Sequence, residues 1–580
     1  MKRFLARPAL FYGVFFVGSF LFFEINYRYW YRFMEQYSLF LYTEAYFMKL
    51  CEQPGGFNAY LTAFITRFFT FPYVSSVCLS LLLTLMSLLS ARLLKKRSRL
   101  LSLFPAVLFC LFPVESIASV LAALTGIAAV SGYAAIQKPL PRYITGFALI
   151  TVCYLLAAPA HLLAAAGMMI CECYGAAGKK RFFPAFGWLI WALLCPLLAM
   201  RTLYVVPMRE AFLGRHLFHP EYPIPASFWY IWCALPFIML LVYGLRRPKP
   251  LFKEGLRQLA AVSLLVGATA IALVYGGHPL EQAYRYDWFA RGQQWEAIVE
   301  DVARHPVKDR DALIYANLAH AYTGTFNEAL LRLPQVGEDG FIPYDPKTRL
   351  ELIEASEVSW LLNHTNSAQR FAFVGVLSSE RNVQSRLMER LVETYLVNEE
   401  YKAAEKYIRI LEMSKPHNPR IKELRRLLEP ETSASTPWIS ERRRLTPLTD
   451  NPYDLTKTFP SALAFLIDDH PDNKAAFEYA MGYLLVYKEL NIFMHYMEAR
   501  KERGEPLPVV YQEAICLFYT AVQNEPETLR SYSIDPAVYQ RFLGYMQQLK
   551  GLTPALLSRR YGDTYYYYAQ FVQPPRKPVR

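Results

Sequence analysis

The stretch VSSVCLSLLLTLMSLLSARLLKKRSR, residues 74–99, predicts the fold class of the first half of this protein. Between Val74 and Leu94 it carries a single charged side chain, Arg92. A run of about 20 mostly apolar residues is long enough to cross the hydrocarbon core of a bilayer as a helix. The run ends in the basic segment KKRSR, and basic residues mark the cytoplasmic ends of membrane spans. We therefore predict a membrane-spanning helix that ends at the cytoplasmic face.

Similar apolar runs recur through the first half of the chain and predict about nine spans. They cover residues 9–23, 74–94, 100–113, 116–136, 144–158, 162–175, 183–200, 228–245 and 259–275. Basic residues collect in every second loop, at 2–7, 95–99, 138–142, 179–181 and 246–257. By the positive-inside rule, this alternation places the N-terminus inside the cytoplasmic membrane and everything after Tyr275 outside. No small-residue cleavage site follows the first run, so we expect it to remain as a signal anchor.

Composition argues against a purely soluble protein, and the position of the charges argues against a nucleic-acid partner. The 580 residues are 54% hydrophobic and 19% charged, whereas about a quarter of the residues in an average soluble domain are charged. The net charge of +13 is explained largely by the basic loops, and no Arg/Lys stripe with interleaved aromatic residues indicates RNA or DNA binding. Most of the nine cysteines fall in or beside predicted spans, so we expect free thiols and no disulfide framework.

The second half of the chain changes to amphipathic helical periodicity from about residue 280. Polar turns there are followed by an aromatic residue, as at Trp295, Phe326, Tyr401 and Phe493. This design resembles the tetratricopeptide family, in which each repeat is a pair of antiparallel helices. The residues that carry the resemblance best are Leu391, Tyr395, Tyr401, Ala403, Ala404, Tyr407 and Pro419. The resemblance implies an α-solenoid.

Together these patterns predict an all-α protein with two parts. A polytopic transmembrane domain at residues 1–276 is followed by an extracytoplasmic solenoid of tetratricopeptide-like repeats at residues 277–429. A Ser/Thr/Pro-rich loop or linker is expected at 430–460, further helical repeats at 461–573, and a flexible tail at 574–580.

Polar side chains that could support chemistry gather on the predicted outer side. In the first outer segment, residues 24–73, apolar residues recur at helical spacing, which predicts helices lying in the membrane interface. We expect Glu24, Glu44 and Glu52 to lie on the solvated faces of these helices, and we treat Glu35 as a candidate functional residue. His161, which follows Pro159, is expected to be a turn residue or a helix cap.

The first 135 or so residues resemble the GT-C superfamily of membrane glycosyltransferases. Those enzymes have an inside N-terminus, an acidic pair just after the first span, an interface helix, a turn before the second span, and another acidic residue between spans three and four. Here Glu35-Gln36 stands at the place of the pair, Gln53-Pro54-Gly55-Gly56 at the turn, and Glu115 at the later acid. The resemblance implies a transferase that uses a lipid-linked sugar donor at the outer face of the membrane.

Such a transfer needs a carboxylate that takes the acceptor proton and cations that stabilise the leaving phosphate. We predict Glu35 and Glu115 as the catalytic carboxylates. The candidate substrate-binding side chains are Gln36, Arg201, Arg209 and Arg215, since a guanidinium group matches phosphate geometry. His216 and His219, three residues apart, would bind a divalent metal together with Glu115 or Glu221.

Two classes of function remain open at this point. One is a GT-C-like transferase that acts on a lipid-phosphate-linked sugar, with the repeat domain holding an acceptor or a partner. The other is a non-enzymatic membrane scaffold whose helical repeats recruit protein partners in the cell envelope. The number of predicted spans favours the transferase, because an anchor needs only one span. A transporter is a weaker third interpretation, because the span interiors contain few ionisable residues apart from Glu172.

Overall fold

The computed structural model of the protein describes most of the chain. The described residues are 8–37, 39–94, 99–111, 117–174, 182–214, 232–234, 236–240, 263, 266–267, 269–270, 277–378, 384–415, 417–447, 453–501, 506–549 and 551–574. Every regular element in these ranges is a helix. The chain divides into two compact units, Met1–Glu281 (unit 1) and Gln282–Arg580 (unit 2).

Unit 1 is built largely from apolar helices. Its α-helices are α1 Pro8–Asn26, α2 Arg28–Met34, α3 Glu44–Cys51, α4 Gly56–Thr66, α5 Val74–Leu93, α6 Arg99–Leu111, α7 Ile117–Ala135, α8 Pro139–Ala157, α9 Ala160–Tyr174, α10 Phe182–Thr202 and α11 Met208–Leu213. By length and composition α1, α5, α7 and α8 could each cross a membrane, whereas α6, α9 and α10 contain shorter apolar segments. The predicted spans at 228–245 and 259–275 lie largely outside the described residues.

Most of the apolar helices of unit 1 alternate in direction, as contacts between their ends show. At one end of the bundle, the hydroxyl groups of Tyr12 and Ser102 are 3.0 Å apart. At the opposite end of α1, the Ser76 hydroxyl group, at the start of α5, donates to Glu24 at 2.7 Å. Residues near the end of α1 therefore contact residues near the start of α5, which is the arrangement of an antiparallel pair.

Three of these helices expose apolar stripes. Residues three or four positions apart are exposed along α1 (Leu10, Val14, Val17, Leu21 and Ile25), α5 (Val77, Leu81, Leu85 and Leu88) and α10 (Phe186, Ile190, Leu193 and Leu197). A helix of a soluble domain turns its apolar stripe toward the core. Apolar stripes that face outward on several long helices indicate association with a membrane, because lipid is the solvent they match.

A buried polar triad joins three helices of unit 1. Glu172 near the end of α9 accepts a hydrogen bond from the Tyr133 hydroxyl group of α7 at 2.7 Å and forms an ion pair with Arg142 of α8 at 2.9 Å. The Arg142 guanidinium group also lies 4.6 Å from the centre of the Tyr133 ring. Charged side chains among apolar helices are costly unless they are paired, so this triad fixes the ends of α7, α8 and α9 together.

Removing either charge of the Arg142–Glu172 pair should therefore destabilise unit 1 more than removing both. Arg142→Met or Glu172→Met leaves one buried charge without its partner, which typically costs about 3–5 kcal/mol. We expect each single variant to lower the melting temperature of the detergent-solubilised protein and the double variant to recover much of the loss. Strictly additive losses would show that the pair does not act as a unit.

Unit 2 consists of many shorter helices joined by short turns. They are α12 Glu281–Arg291, which begins at the last residue of unit 1, α13 Trp295–Arg304, α14 Arg310–Tyr322, α15 Phe326–Ala329, α16 Glu338–Phe341, α17 Arg349–Leu361, α18 Thr365–Ser378, α19 Ser385–Val397, α20 Tyr401–Ser414, α21 Pro419–Arg426, α22 Pro430–Ser435, α23 Pro437–Leu445, α24 Phe459–Asp469, α25 Lys474–Val486, α26 Leu490–Arg500, α27 Val509–Leu517, α28 Pro536–Gln548, α29 Pro554–Tyr561 and α30 Tyr565–Phe571. Helices α17 to α20 pack each against the next.

Five turns of unit 2 have the same backbone geometry. Each joins two helices through three residues, and in each a residue with positive φ follows the first helix: Gln293, Gly324, Asn363, Glu399 and Lys488. The next backbone N–H group donates to a carbonyl oxygen five residues earlier, at 2.8 to 2.9 Å in all five turns. This is the Schellman motif, which satisfies the last carbonyl groups of a helix and reverses the chain. These five helix pairs of unit 2 are therefore joined by turns of one type.

The segment 430–460, predicted as a loop or linker, contains two helices, α22 and α23. Pro430 and Pro437 occupy first-turn positions, where a missing N–H group costs nothing. The Arg443 side chain donates to the backbone carbonyl oxygens of Leu396 and Val397 at 2.8 and 3.0 Å, and thereby attaches α23 to the end of α19. In this segment Pro430 and Pro437 therefore begin helices rather than interrupt them.

The contact between α19 and α20 gives a direct test of helix pairing. Ala404 is fully buried, and the rings of Tyr395 and Tyr407 stack 5.8 Å apart beside it. Ala404→Arg should force a charge into this contact at a cost of several kcal/mol. Hydrogen exchange in peptides from α19 and α20 of the full-length protein should then accelerate. Ala403→Arg, at the partly exposed neighbouring position, is the matched control, and equal exchange in both variants would contradict the pairing.

Candidate functional site

The segment between α1 and α5 folds into a layer of short helices with its own small core. It contains α2, a 3-10 turn at Glu35–Tyr37, α3, α4 and a second 3-10 turn at Arg67–Thr70. Its core is formed by Phe40, Tyr46, Leu50, Ala59 and Ala63. Helix α4 also packs on α7 and α8, so the layer is fixed to the apolar bundle.

The turn between α3 and α4 depends on two glycines. Gly55 has a φ of 73°, in the left-handed region that glycine adopts without strain. A Cβ atom on Gly56 would lie 1.9 Å from the Leu50 carbonyl oxygen, so no larger residue fits there. The sequence Gln53-Pro54-Gly55-Gly56, which was predicted as a turn, therefore forms one, and it brings α3 and α4 into contact.

Two carboxylates hold the start of this layer in place. Glu281 accepts hydrogen bonds from the backbone N–H groups of Tyr29 and Trp30 at 2.7 and 3.1 Å, which is the favourable position for a carboxylate at a helix N-terminus. Glu24 was expected on a solvated face, but it is buried and pairs with Arg28 and Ser76. That expectation was wrong because the Ser76 hydroxyl group and the Arg28 guanidinium group together replace the water that a carboxylate needs.

Glu35 and Gln36 lie together in the first 3-10 turn and are almost fully buried, with 2% and 1% of their surfaces exposed. This turn packs against the second 3-10 turn, which begins at Arg67. Burial lowers the pKa of Arg67, and the negative charge of Glu35 opposes that shift. The structure therefore places a buried carboxylate within the electrostatic reach of a guanidinium group.

Arg67 is half-buried and incompletely hydrogen-bonded. Its guanidinium group lies 4.5 Å from the centre of the Tyr42 ring, a cation–π contact. Its Nη1 atom is buried and has no hydrogen-bond partner among the described residues. A buried donor without a partner is costly, and a ligand that accepts a hydrogen bond would remove that cost.

Arg67 was not among the candidate residues in the sequence analysis, although the sequence contains a signal for it. From Gln53 to Tyr73 it is the single charged side chain. A lone charge in an aromatic and apolar interface segment costs free energy, so such a charge indicates a functional position. This observation alone, without any motif, would have identified Arg67 as a candidate residue.

The other predicted site residues are not all placed by the structure. Arg201 lies in the last turn of α10 and Arg209 lies in α11, and both are exposed. Glu115, Arg215, His216, His219 and Glu221 fall outside the described residues. Within the described ranges, no group of three or more His, Cys, Asp or Glu side chains could hold a metal ion. The predicted metal site therefore stays a prediction, and we derive no chemical step through a metal.

His161 differs from its expected role as a turn residue or cap. It is fully buried near the start of α9, and its ring meets the Tyr154 ring edge-to-face at 5.0 Å. The sequence pattern did not reveal this burial, because Pro159 ends α8 and α9 begins directly after it. His161 therefore lies where α8, α9 and α10 meet.

Comparison with known proteins identifies a family but no characterised relative. No curated protein and no solved structure matches the chain. One family, described as a family of unknown function (DUF6057), matches residues 3–572. This match covers nearly the whole chain, including both units. The protein therefore belongs to the DUF6057 family.

Proposed function

We propose that the protein is a membrane-embedded transferase of the GT-C type, with its site in the layer of short helices between α1 and α5. The observation that carries the proposal is the burial of Glu35 beside Arg67, which is the single charged side chain between Gln53 and Tyr73. The candidate catalytic carboxylate is thus removed from water and lies close to a cation that retains an unused hydrogen-bond donor. This is the pair of groups that transfer from a lipid-linked sugar requires.

Each side chain has a specific role in this proposal. Glu35 accepts the proton of the acceptor hydroxyl group as that oxygen attacks the sugar. Arg67 donates through Nη1 to the phosphate that leaves with the lipid carrier, and the Gln36 side chain hydrogen-bonds to the sugar. Arg201 and Arg209 are further candidates for the phosphate, since both are exposed at or beyond the end of α10.

The proposed topology places this site on the outer side of the cytoplasmic membrane. It has about nine spans, an N-terminus inside and unit 2 outside. The support is the alternation of the helices together with the positions of the basic residues. Lys138 and Arg142, at the start of α8, lie at the bundle end that holds Glu172. The layer that contains Glu35 lies at the other end, where Asn58 of α4 donates to the carbonyl oxygen of Ala118, near the start of α7.

A scaffold is the second candidate function, and the five Schellman turns of unit 2 favour it. Repeated helix pairs with identical turns are the architecture of tetratricopeptide-like solenoids, which present extended surfaces to protein partners. In this alternative the carboxylate at position 35 has a structural role, and unit 2 carries the function. The transferase needs the Glu35 carboxylate as a base, whereas the scaffold does not.

The transferase proposal predicts that Glu35→Gln abolishes function while leaving the fold intact. The substitution keeps the side-chain volume but removes the base, so activity should fall by about a hundredfold or more. The measurement is complementation of the envelope phenotype of a deletion strain, with protein abundance and melting temperature followed in parallel. Glu44→Gln is the matched control, because Glu44 is exposed at the start of α3.

Arg67 separates a catalytic role of Glu35 from a structural one. Arg67→Met should cause the same loss of function as Glu35→Gln, and Arg67→Lys should restore part of it, since lysine keeps the charge but loses the bidentate geometry. Wild-type complementation by Glu35→Gln would exclude Glu35 as the base and favour the scaffold. If Glu35→Gln loses function only because the protein becomes less abundant, this result would also exclude Glu35 as the base and favour the scaffold.

A further inference from the structure

Glu354 is an unusual buried acid in the middle of α17. None of its surface is exposed, and neither carboxyl oxygen has a hydrogen-bond partner among the described residues. An ionised carboxylate in such a place would cost far more free energy than a folded domain can normally supply. The side chain therefore needs either a cation or a proton.

Arg310, the cation that acts on Glu354, is already engaged by other acids. The ion pairs of this region fall into two groups: Arg310 with Asp311 and Glu351, and a second group in which Arg386 pairs with Asp287 and Glu357, Arg390 with Glu357 and Glu393, and Arg420 with Glu393 and Glu423. Two carboxylates share one guanidinium group in the first group, and four carboxylates share three in the second. An ionised Glu354 would add one more negative charge to an excess of negative charge.

The charged groups that act on Glu354 come from several helices. Burial has the largest effect on its pKa; Asp311 of α14, Glu351 of α17 itself and Asp287 of α12 raise that pKa further, and Arg310 opposes them. Asp287 in turn accepts a hydrogen bond from Tyr315 of α14 and forms an ion pair with Arg386 of α19, so both side chains belong to the polar environment of Glu354. The one charged side chain of α18, Arg370, is paired with Asp454. The net result is a pKa of Glu354 well above its usual range.

We propose that Glu354 is a proton-operated latch that couples the packing of α12, α14 and α17 in unit 2 to pH. With its proton, the carboxyl group is neutral and the three helices stay packed around the two groups of ion pairs. When hydroxide or buffer base removes the proton, a negative charge appears among Asp287, Asp311 and Glu351. Repulsion among these four carboxylates then favours opening of the contact between α14 and α17, which lets water reach the charge.

The direction of the pH dependence follows from the raised pKa. A group whose pKa is higher in the folded state stabilises the fold fully below its unfolded pKa, about 4.3 for glutamate, and this stabilisation is lost as pH rises through the folded value. Between these two values the equilibrium constant for opening rises by up to about tenfold for each pH unit. The contact around Glu354 should therefore be tighter at pH 6 than at pH 8.

Hydrogen exchange of the full-length protein in detergent tests the latch. Peptides that cover α14 and α17 should open more at pH 8 than at pH 6, by up to about a hundredfold after correction for intrinsic exchange rates, and Glu354→Gln should remove most of this difference. Glu300→Gln is the matched control, because Glu300 is an exposed acid of unit 2 and its loss should leave the difference unchanged.

The wild-type measurement keeps the proposal falsifiable even if the variant folds poorly. Opening of α14 and α17 that does not change between pH 6 and pH 8 in the wild-type protein would overturn the latch. A pH dependence that persists in both Glu354→Gln and Glu354→Met would also overturn it, because another group would then be responsible.

Discussion

The cost of removing a charged or polar group from water is the constraint on which the rest of this structure depends. In unit 1, among apolar helices, this cost is reduced by the Arg142–Glu172 ion pair and by the bonds of Glu24 with Arg28 and Ser76. In unit 2 the ion pairs of Arg386 with Asp287 and Glu357 reduce the same cost. The functional proposals concern two of the described groups for which this cost is not offset, Nη1 of Arg67 and the carboxyl group of Glu354. A group left incompletely satisfied in a well-packed fold is where a ligand or a proton would act.

The layer between α1 and α5 shows how local sequence buries the candidate carboxylate, Glu35, beside a bundle of apolar helices. Gly55 and Gly56 allow a turn tight enough for α3 and α4 to pack together, and Glu281 fixes the start of α2. Helix α2 packs against the 3-10 turn that contains Glu35, α4 packs against the turn that begins at Arg67, and the two turns pack against each other. The chemistry proposed for the protein thus depends on residues that do no chemistry themselves.

Several features of the fold could be predicted from the sequence, because they depend on local composition. Apolar length predicts α1, α5, α7 and α8, and the turn residues before Trp295, Phe326 and Tyr401 predict where helices reverse. The burial of Glu24 and the packing of Arg443 could not be predicted, since each depends on a partner distant in the chain, Ser76 in one case and Leu396 in the other. At the candidate site, Glu35 could be identified from the sequence by its position after the first predicted span. Its proximity to Arg67 was not, because that depends on how two 3-10 turns pack.

The side of the membrane on which Glu35 lies is the central claim of the account, and cysteine labelling in intact cells tests it most directly. Glu44, in the layer that holds Glu35, and Lys138, at the start of α8, are both exposed and lie on opposite sides in the proposed topology. Each would be replaced by cysteine in a variant whose native cysteines are changed to serine or alanine, and then treated with a membrane-impermeant maleimide. The account predicts labelling at position 44 in intact cells and labelling at position 138 after permeabilisation alone. Labelling at position 138 in intact cells, with position 44 protected, would contradict it.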